Sequence, residues 1–272
     1  NDADYNVVMG YQALTTDTKG NRSVAIGFES LKTQNFSSST DTHNTAVGNR
    51  TGALLTTGIK NTFIGSEAGD ANTTGESNTA VGYASLTSNT TGSNNVAIGY
   101  EALEQNTTGA NNTAVGLQAL EENTTGAENV AVGRGALDTN TTGDQNTAVG
   151  RLALDSNTTG DDNTSLGYLS MRFNTTAHDN TAVGSESLKE NTTGAGNVAV
   201  GRLAGAETTT GYALTAMGTS ALTSNTTGHE NTALGYQAML DNTTGDLCVA
   251  VGNNALANNT TGTANTAVGY TA

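Results

Sequence analysis

Three histidines, one cysteine and twenty-five carboxylates are the side chains of this 272-residue chain best suited to acid–base, nucleophilic or metal chemistry. Their spacing points to none of these. His43, His178 and His229 each sit just before an Asn-initiated tetrad, far apart, with no recurring carboxylate or thiol partner. No set of nucleophile, base and orienting group can be assembled. The many Ser and Thr recur periodically, which marks them as structural. The glycine-rich turns lack the Gly-x-x-x-x-Gly-Lys-Ser pattern that cradles phosphate. The calcium-binding nonapeptide with its Gly-Gly-x-Gly-x-Asp core is also absent. The expectation is a chain with no catalytic residue, no cofactor and no dedicated metal site, and hence not an enzyme.

Other patterns invite binding or modification. Asn-Thr-Thr, at Asn72, Asn89 and Asn106 for example, matches the N-glycosylation sequon. Its regular recurrence reads equally as a turn requirement. Thr-rich ladders raise the option of an ice-binding surface, although acidic residues interrupt them. Arg134, Arg151 and Arg202 share one repeat position with Tyr83, Tyr100, Tyr168, Tyr236 and Tyr270. A column of Arg and Tyr can contact glycans or a receptor, or simply shield a sheet.

These residues are positioned by a repeat. Sixteen glycines follow tetrads of the Asn-Thr-Ala-Val type, from Gly10 to Gly269. The step between neighbours is 17 residues throughout, except for 21 between Gly27 and Gly48, which places a four-residue insertion near 36–41. A typical unit is Asn78–Asn94, Asn-Thr-Ala-Val-Gly-Tyr-Ala-Ser-Leu-Thr-Ser-Asn-Thr-Thr-Gly-Ser-Asn. Such a unit is too short for a helix hairpin, and its glycines and β-branched residues disfavour helix. It suits one coil of a parallel β-solenoid. The glycines Gly82, Gly92, Gly99, Gly109, Gly116 and Gly126 supply corners with positive φ, and stacking pairs each strand with its copy in the next coil. Residues 1–272 thus read as a single all-β solenoid region of sixteen 17-residue coils, on the order of 75 Å long at ~4.8 Å per coil. Neither Asn1–Asn6 nor Thr271–Ala272 resembles a cap, so either a segment of a longer protein or a subunit whose ends meet other subunits is expected.

Within the unit, position two is Thr or Val, position four a large aliphatic, and position three nearly always Ala. Strand alternation puts two and four on one face and three on the other. Val81, Ile98, Val115, Val132 and Val149 are expected to build one buried ladder, as core or as interface. Leu86, Leu103, Leu120, Leu137 and Leu154, at position nine, should build another. A single coil has one interior, so the second apolar face either meets other copies of the chain or is covered by a turn of its own coil. Phe63 at an Ala position accompanies Gly69 at a Leu position, a volume exchange within one coil. Asn at positions one and twelve should stack as amide ladders.

The net charge of −15 comes from acidic residues at variable turn positions. It argues against non-specific nucleic-acid binding. The single cysteine excludes an intrachain disulfide framework. No signal peptide, membrane span or lipidation motif is apparent.

The tetrad-plus-glycine cores, Ser23–Gly27 in particular, resemble the repeats of trimeric autotransporter adhesin heads. The Asn-Thr-Thr-Gly turns resemble repeat regions of phage-type tail fibres. The resemblance spans the whole chain, but the unit here is longer than the adhesin repeat. It implies a left-handed β-roll, trimerised side by side, at a cell or virion surface. The function expected is a structural and adhesive extracellular fibre segment. Its partner is itself, with a surface receptor or glycan as a further partner and no membrane contact. The alternatives are a filament grown by end-to-end stacking and an ice- or glycan-binding solenoid.

Overall fold

The computed structural model describes residues 3–272 and shows an all-β parallel solenoid of about sixteen coils. The coils fall into two compact units, the described residues up to 135 with 140–142, and residues 136–139 with 143–272. Unit one carries the three-residue strands Val7–Met9, Val24–Ile26, Thr45–Val47, Thr62–Ile64, Thr79–Val81, Val96–Ile98, Thr113–Val115 and Val130–Val132. Unit two carries Thr147–Val149, Thr164–Leu166, Thr181–Val183, Val198–Val200, Thr215–Met217, Thr232–Leu234, Val249–Val251 and Thr266–Val268. Within each unit every strand pairs in parallel with the next, position two to position two, as Thr79 to Val96 and Thr181 to Val198.

The interior is narrow and mixed. Ala at position three is buried in coil after coil, for example Ala80, Ala97 and Ala114. Leu86, Leu103, Leu120, Leu137 and Leu154 are fully buried, as the repeat predicts. Each is worth roughly 1.5–3 kcal/mol for leaving water. A small side chain on the strand wall therefore faces a large one on the opposite wall. Where the strand residue is large, the opposite wall shrinks. A Cβ on Gly69 would lie 2.8 Å from the buried Phe63 ring, and one on Gly52 would lie 3.0 Å from it. This is the predicted volume exchange, extended to two neighbouring coils.

Two lines of buried asparagine complete each interior. At position twelve the amides bond to one another. Asn89, Asn106 and Asn123 each donate Nδ2 to the Oδ1 of the preceding Asn at 2.7–2.9 Å, and to the carbonyl of their own turn glycine. At position one the Oδ1 instead accepts the next coil's backbone N–H, as Asn78 does from Asn95 at 2.9 Å. Its Nδ2 donates to a turn carbonyl, that of Gly92. The first line is the side-chain ladder expected; the second mainly ties side chain to backbone, with amide-to-amide bonds where Asn163 and Asn180 donate Nδ2 to the preceding Asn at 3.1 and 3.2 Å.

The turn glycines divide into two kinds. Gly82, Gly99 and Gly116 have φ of 139°, 143° and 142°, a region closed to other residues. Gly92 and Gly109 do not have positive φ, contrary to expectation. They are required by closeness, since a Cβ on either would lie 2.3 Å from the next coil's glycine carbonyl oxygen. Leu at position nine itself holds φ near +53° (Leu103, Leu120, Leu137), so packing overrides an unfavourable backbone. The insertion adds a second, two-stranded sheet, Gly20–Asn21 with Thr40–Asp41. Beneath it Gln34 donates to Ser23 and Asp17 and accepts from Asn44.

Candidate assembly surface

Pleating sends positions two and four outward because Ala at position three points in. Val81, Val115 and Val132 are half-buried, and Ile98 and Val149 are 40% and 37% exposed. The chain's own interior therefore does not contain the valine ladder. It is one of two parallel outward ranks, Thr/Val at position two and aliphatic at position four. No strand places a charged residue in either rank, although the chain carries a net charge of −15.

The flanks of this face are varied. Just past each strand, position six forms the Arg/Tyr column. Tyr83 and Tyr100 stack with centroids 5.4 Å apart, and Tyr11 and Phe28 at 5.5 Å. The Arg151 guanidinium lies 5.7 Å from the Tyr168 ring centroid, while Arg134 and Arg202 are exposed. Just before each strand lie the histidines, in separate coils. His43 is exposed, and His178 Nδ1 sits 2.8 Å from Asp179. His229 stacks on Tyr212 at 4.7 Å with Nε2 3.5 Å from Asp246. Two of the three thus acquire a carboxylate neighbour that no repeated pattern signals.

The stacking also gathers carboxylates. Oxygens of Glu101, Glu104 and Glu121 lie within 4.8 Å of one another. Burial first, then the negative charge of Glu101, raises Glu104 and Glu121 above the ordinary glutamate range. Among the described residues this half-exposed trio is the one grouping with the spacing of a cation site, and no imidazole or thiol joins it. Repeat registration shows it in retrospect, since Glu104 and Glu121 share position ten in successive coils.

Most buried polar groups are consumed by the stack itself. The first turn threonines, Thr73, Thr90 and Thr107, donate to the next coil's carbonyl at 2.9–3.0 Å. The sequon asparagines Asn72, Asn89 and Asn106 have no solvent exposure, so the folded coil presents none of these amides to a modifying enzyme. Cys248 is buried in a position-one place, its thiol directed at the carbonyl of Gly262 at 3.2 Å. No helix among the described residues is long and apolar enough to cross a membrane. Comparison of the chain with models of known families and with curated proteins finds no match.

Proposed function

We propose that this chain is a structural, adhesive segment of an extracellular fibre, and that its outward strand face seats against further copies of itself. The observation that carries this reading is the charge-free, part-exposed double rank on an otherwise acidic chain. Within one unit, eight strands carry the two ranks side by side, and one side of a standard interface takes about 800 Å². Monomeric proteins seldom expose an apolar stripe of that extent. A non-catalytic role agrees with hydroxyls and amides committed to coil-to-coil bonds. The surface location and the three-fold, side-by-side arrangement rest on the resemblance to adhesin heads.

The test is the solution mass by light scattering after size exclusion. Three chain masses are expected. A monomer at micromolar concentration would overturn the reading, and open-ended polymers would favour end-to-end filament growth. Val132→Asp should return the assembly to smaller species, because an unpaired carboxylate would be carried into the contact. Val132 is half-buried in the single chain, so circular dichroism must show the fold retained.

A further inference from the structure

The Arg/Tyr column is not continuous. Register places Tyr168, Ser185 and Arg202 one above the next, each two residues past strands that pair Leu166 with Val183 and Val183 with Val200. One face of the Tyr168 ring is covered by Arg151 of the preceding coil. The register puts Ser185 at the same place in the next coil, with a side chain too small to cover a ring. The phenol is 45% exposed. Arg202 stands beyond the gap, two coil rises or about 9.6 Å from the tyrosine's place in the column. The gap is one ring thick, since the neighbouring rings Tyr83 and Tyr100 stack at 5.4 Å.

The cations around the gap differ in availability. Arg172 pairs with Asp155, and Lys189 with Glu186 and Glu190. Arg202 is exposed and has no ion-pair partner among the described residues. It is also the last Lys or Arg in the chain. An aromatic face, a ring-sized space and a free guanidinium together suit a flat or chair-shaped ring bearing an anion. The aromatic face takes the C–H face of a sugar ring, and the guanidinium fork takes a carboxylate bidentately. Ser66 leaves a similar gap beside Tyr83, but the residue beyond it is the uncharged Asn49.

We propose that the Tyr168–Ser185–Arg202 gap binds a sugar ring carrying a carboxylate. This names a ligand class for the adhesive half of the proposed function and rests on that half alone. The fibre half is judged separately by solution mass, so an assembly without sugar binding and a sugar-binding monomer are distinct results.

The experiment is saturation-transfer NMR on the full chain with trigalacturonate, sialyllactose, and the methyl ester of trigalacturonate as the neutral probe. Transfer to one acidic probe alone assigns a uronate or a sialate, and transfer to both assigns any carboxylate sugar. Ser185→Tyr fills the gap with the ring stack already present at Tyr83 and Tyr100, and should lower acidic-sugar affinity at least tenfold. Arg202→Gln should reduce the acidic probes to the level of the ester. Absence of transfer to both acidic probes at millimolar concentration would overturn the proposal. So would binding unchanged in Ser185→Tyr, or an ester that binds the wild-type chain as well as the acid does.

Discussion

Thr208 interrupts the buried amide ladder, and repairing it should stabilise the protein. Asn157, Asn174 and Asn191 bond in sequence at 2.8 and 3.0 Å. Thr208 comes next, and the ladder resumes from Asn225 to Asn242 at 3.0 Å. At the break the Asn191 Oδ1 and the Thr208 Oγ1 are both buried without a hydrogen-bond partner. The Asn225 amide keeps its bond to Gly228 but has no amide oxygen below it to donate to. Thr208→Asn keeps a similar volume while extending the side chain by one atom. It supplies a donor to Asn191, an acceptor for Asn225 and a donor to the Gly211 carbonyl. An orphaned buried polar group costs about 1–3 kcal/mol, so a gain of about 1–3 kcal/mol is expected. The site accepts the side chain, because Asn72 occupies the same place in a coil that, like this one, has glycine at position nine (Gly69, Gly205). The assay is urea unfolding followed by far-ultraviolet circular dichroism, together with amide exchange in unit two, since repeat stacks can melt in parts. The converse change, Asn89→Thr, should cost a similar amount by orphaning Asn72. If Thr208→Asn is neutral and Asn89→Thr costs less than about 0.5 kcal/mol, the amide ladder does not stabilise the coil in the way described.

Further outcomes follow from the same geometry. Gly92→Ala should destabilise by more than the usual overpacking cost of about 1–3 kcal/mol, because its Cβ would meet the Gly109 carbonyl oxygen at 2.3 Å. Gly196→Ala, at φ +67° with nothing within 4 Å, should cost only about 1 kcal/mol of backbone strain; thermal midpoints compare the two. Glu104 and Glu121 are held above their ordinary value of 4.5 chiefly by burial. Their protonated forms therefore favour the fold, and the stability they contribute is lost as pH rises from 4.5 through the raised values. The unfolding midpoint should climb as pH falls from 7 toward 4.5, and Glu104→Gln with Glu121→Gln should flatten that climb relative to the parent chain. Phe63→Ala should open a cavity that Gly69→Leu partly refills, so the double variant should be more stable than the sum of its single changes.

The repeat, the strand positions, the leucine wall and the insertion were all legible in the sequence because each is a matter of period. Which strand face turns inward was harder to read. The ranks at positions two and four are the more apolar, which argues for burying them. The structure buries Ala instead, because a 17-residue coil has no room for an aliphatic opposite Leu86. The clue lay in Phe63 and Gly69. Residues that exchange volume share an interior, so position three had to face position nine. Gly92 was recognised as a required glycine but for the wrong reason, since closeness between neighbouring coils is invisible in a single unit. The Glu101–Glu104–Glu121 cluster and the His229 stack on Tyr212 were missed for the same cause: both are contacts between coils rather than within one.

The uniformity of the outward strand face also limits where specificity can reside. Positions two and four repeat so closely that the strand face of one coil is nearly interchangeable with that of the next. A partner resting on that face alone would slip by one coil at little cost, much as weakly patterned strands slip in register. The flank columns break the degeneracy. At the level of strand Val130–Val132, Glu128 precedes the strand and Arg134 follows it; at Thr62–Ile64, Lys60 precedes and Ser66 follows. If copies assemble through the strand face, these flanks must set their axial alignment. Exchanging the charges, with Glu128→Arg and Arg134→Glu in one chain, should then preserve the assembly, whereas either change alone should weaken it in a salt-dependent way. Equal assembly of all three variants at low salt would mean that alignment is set elsewhere.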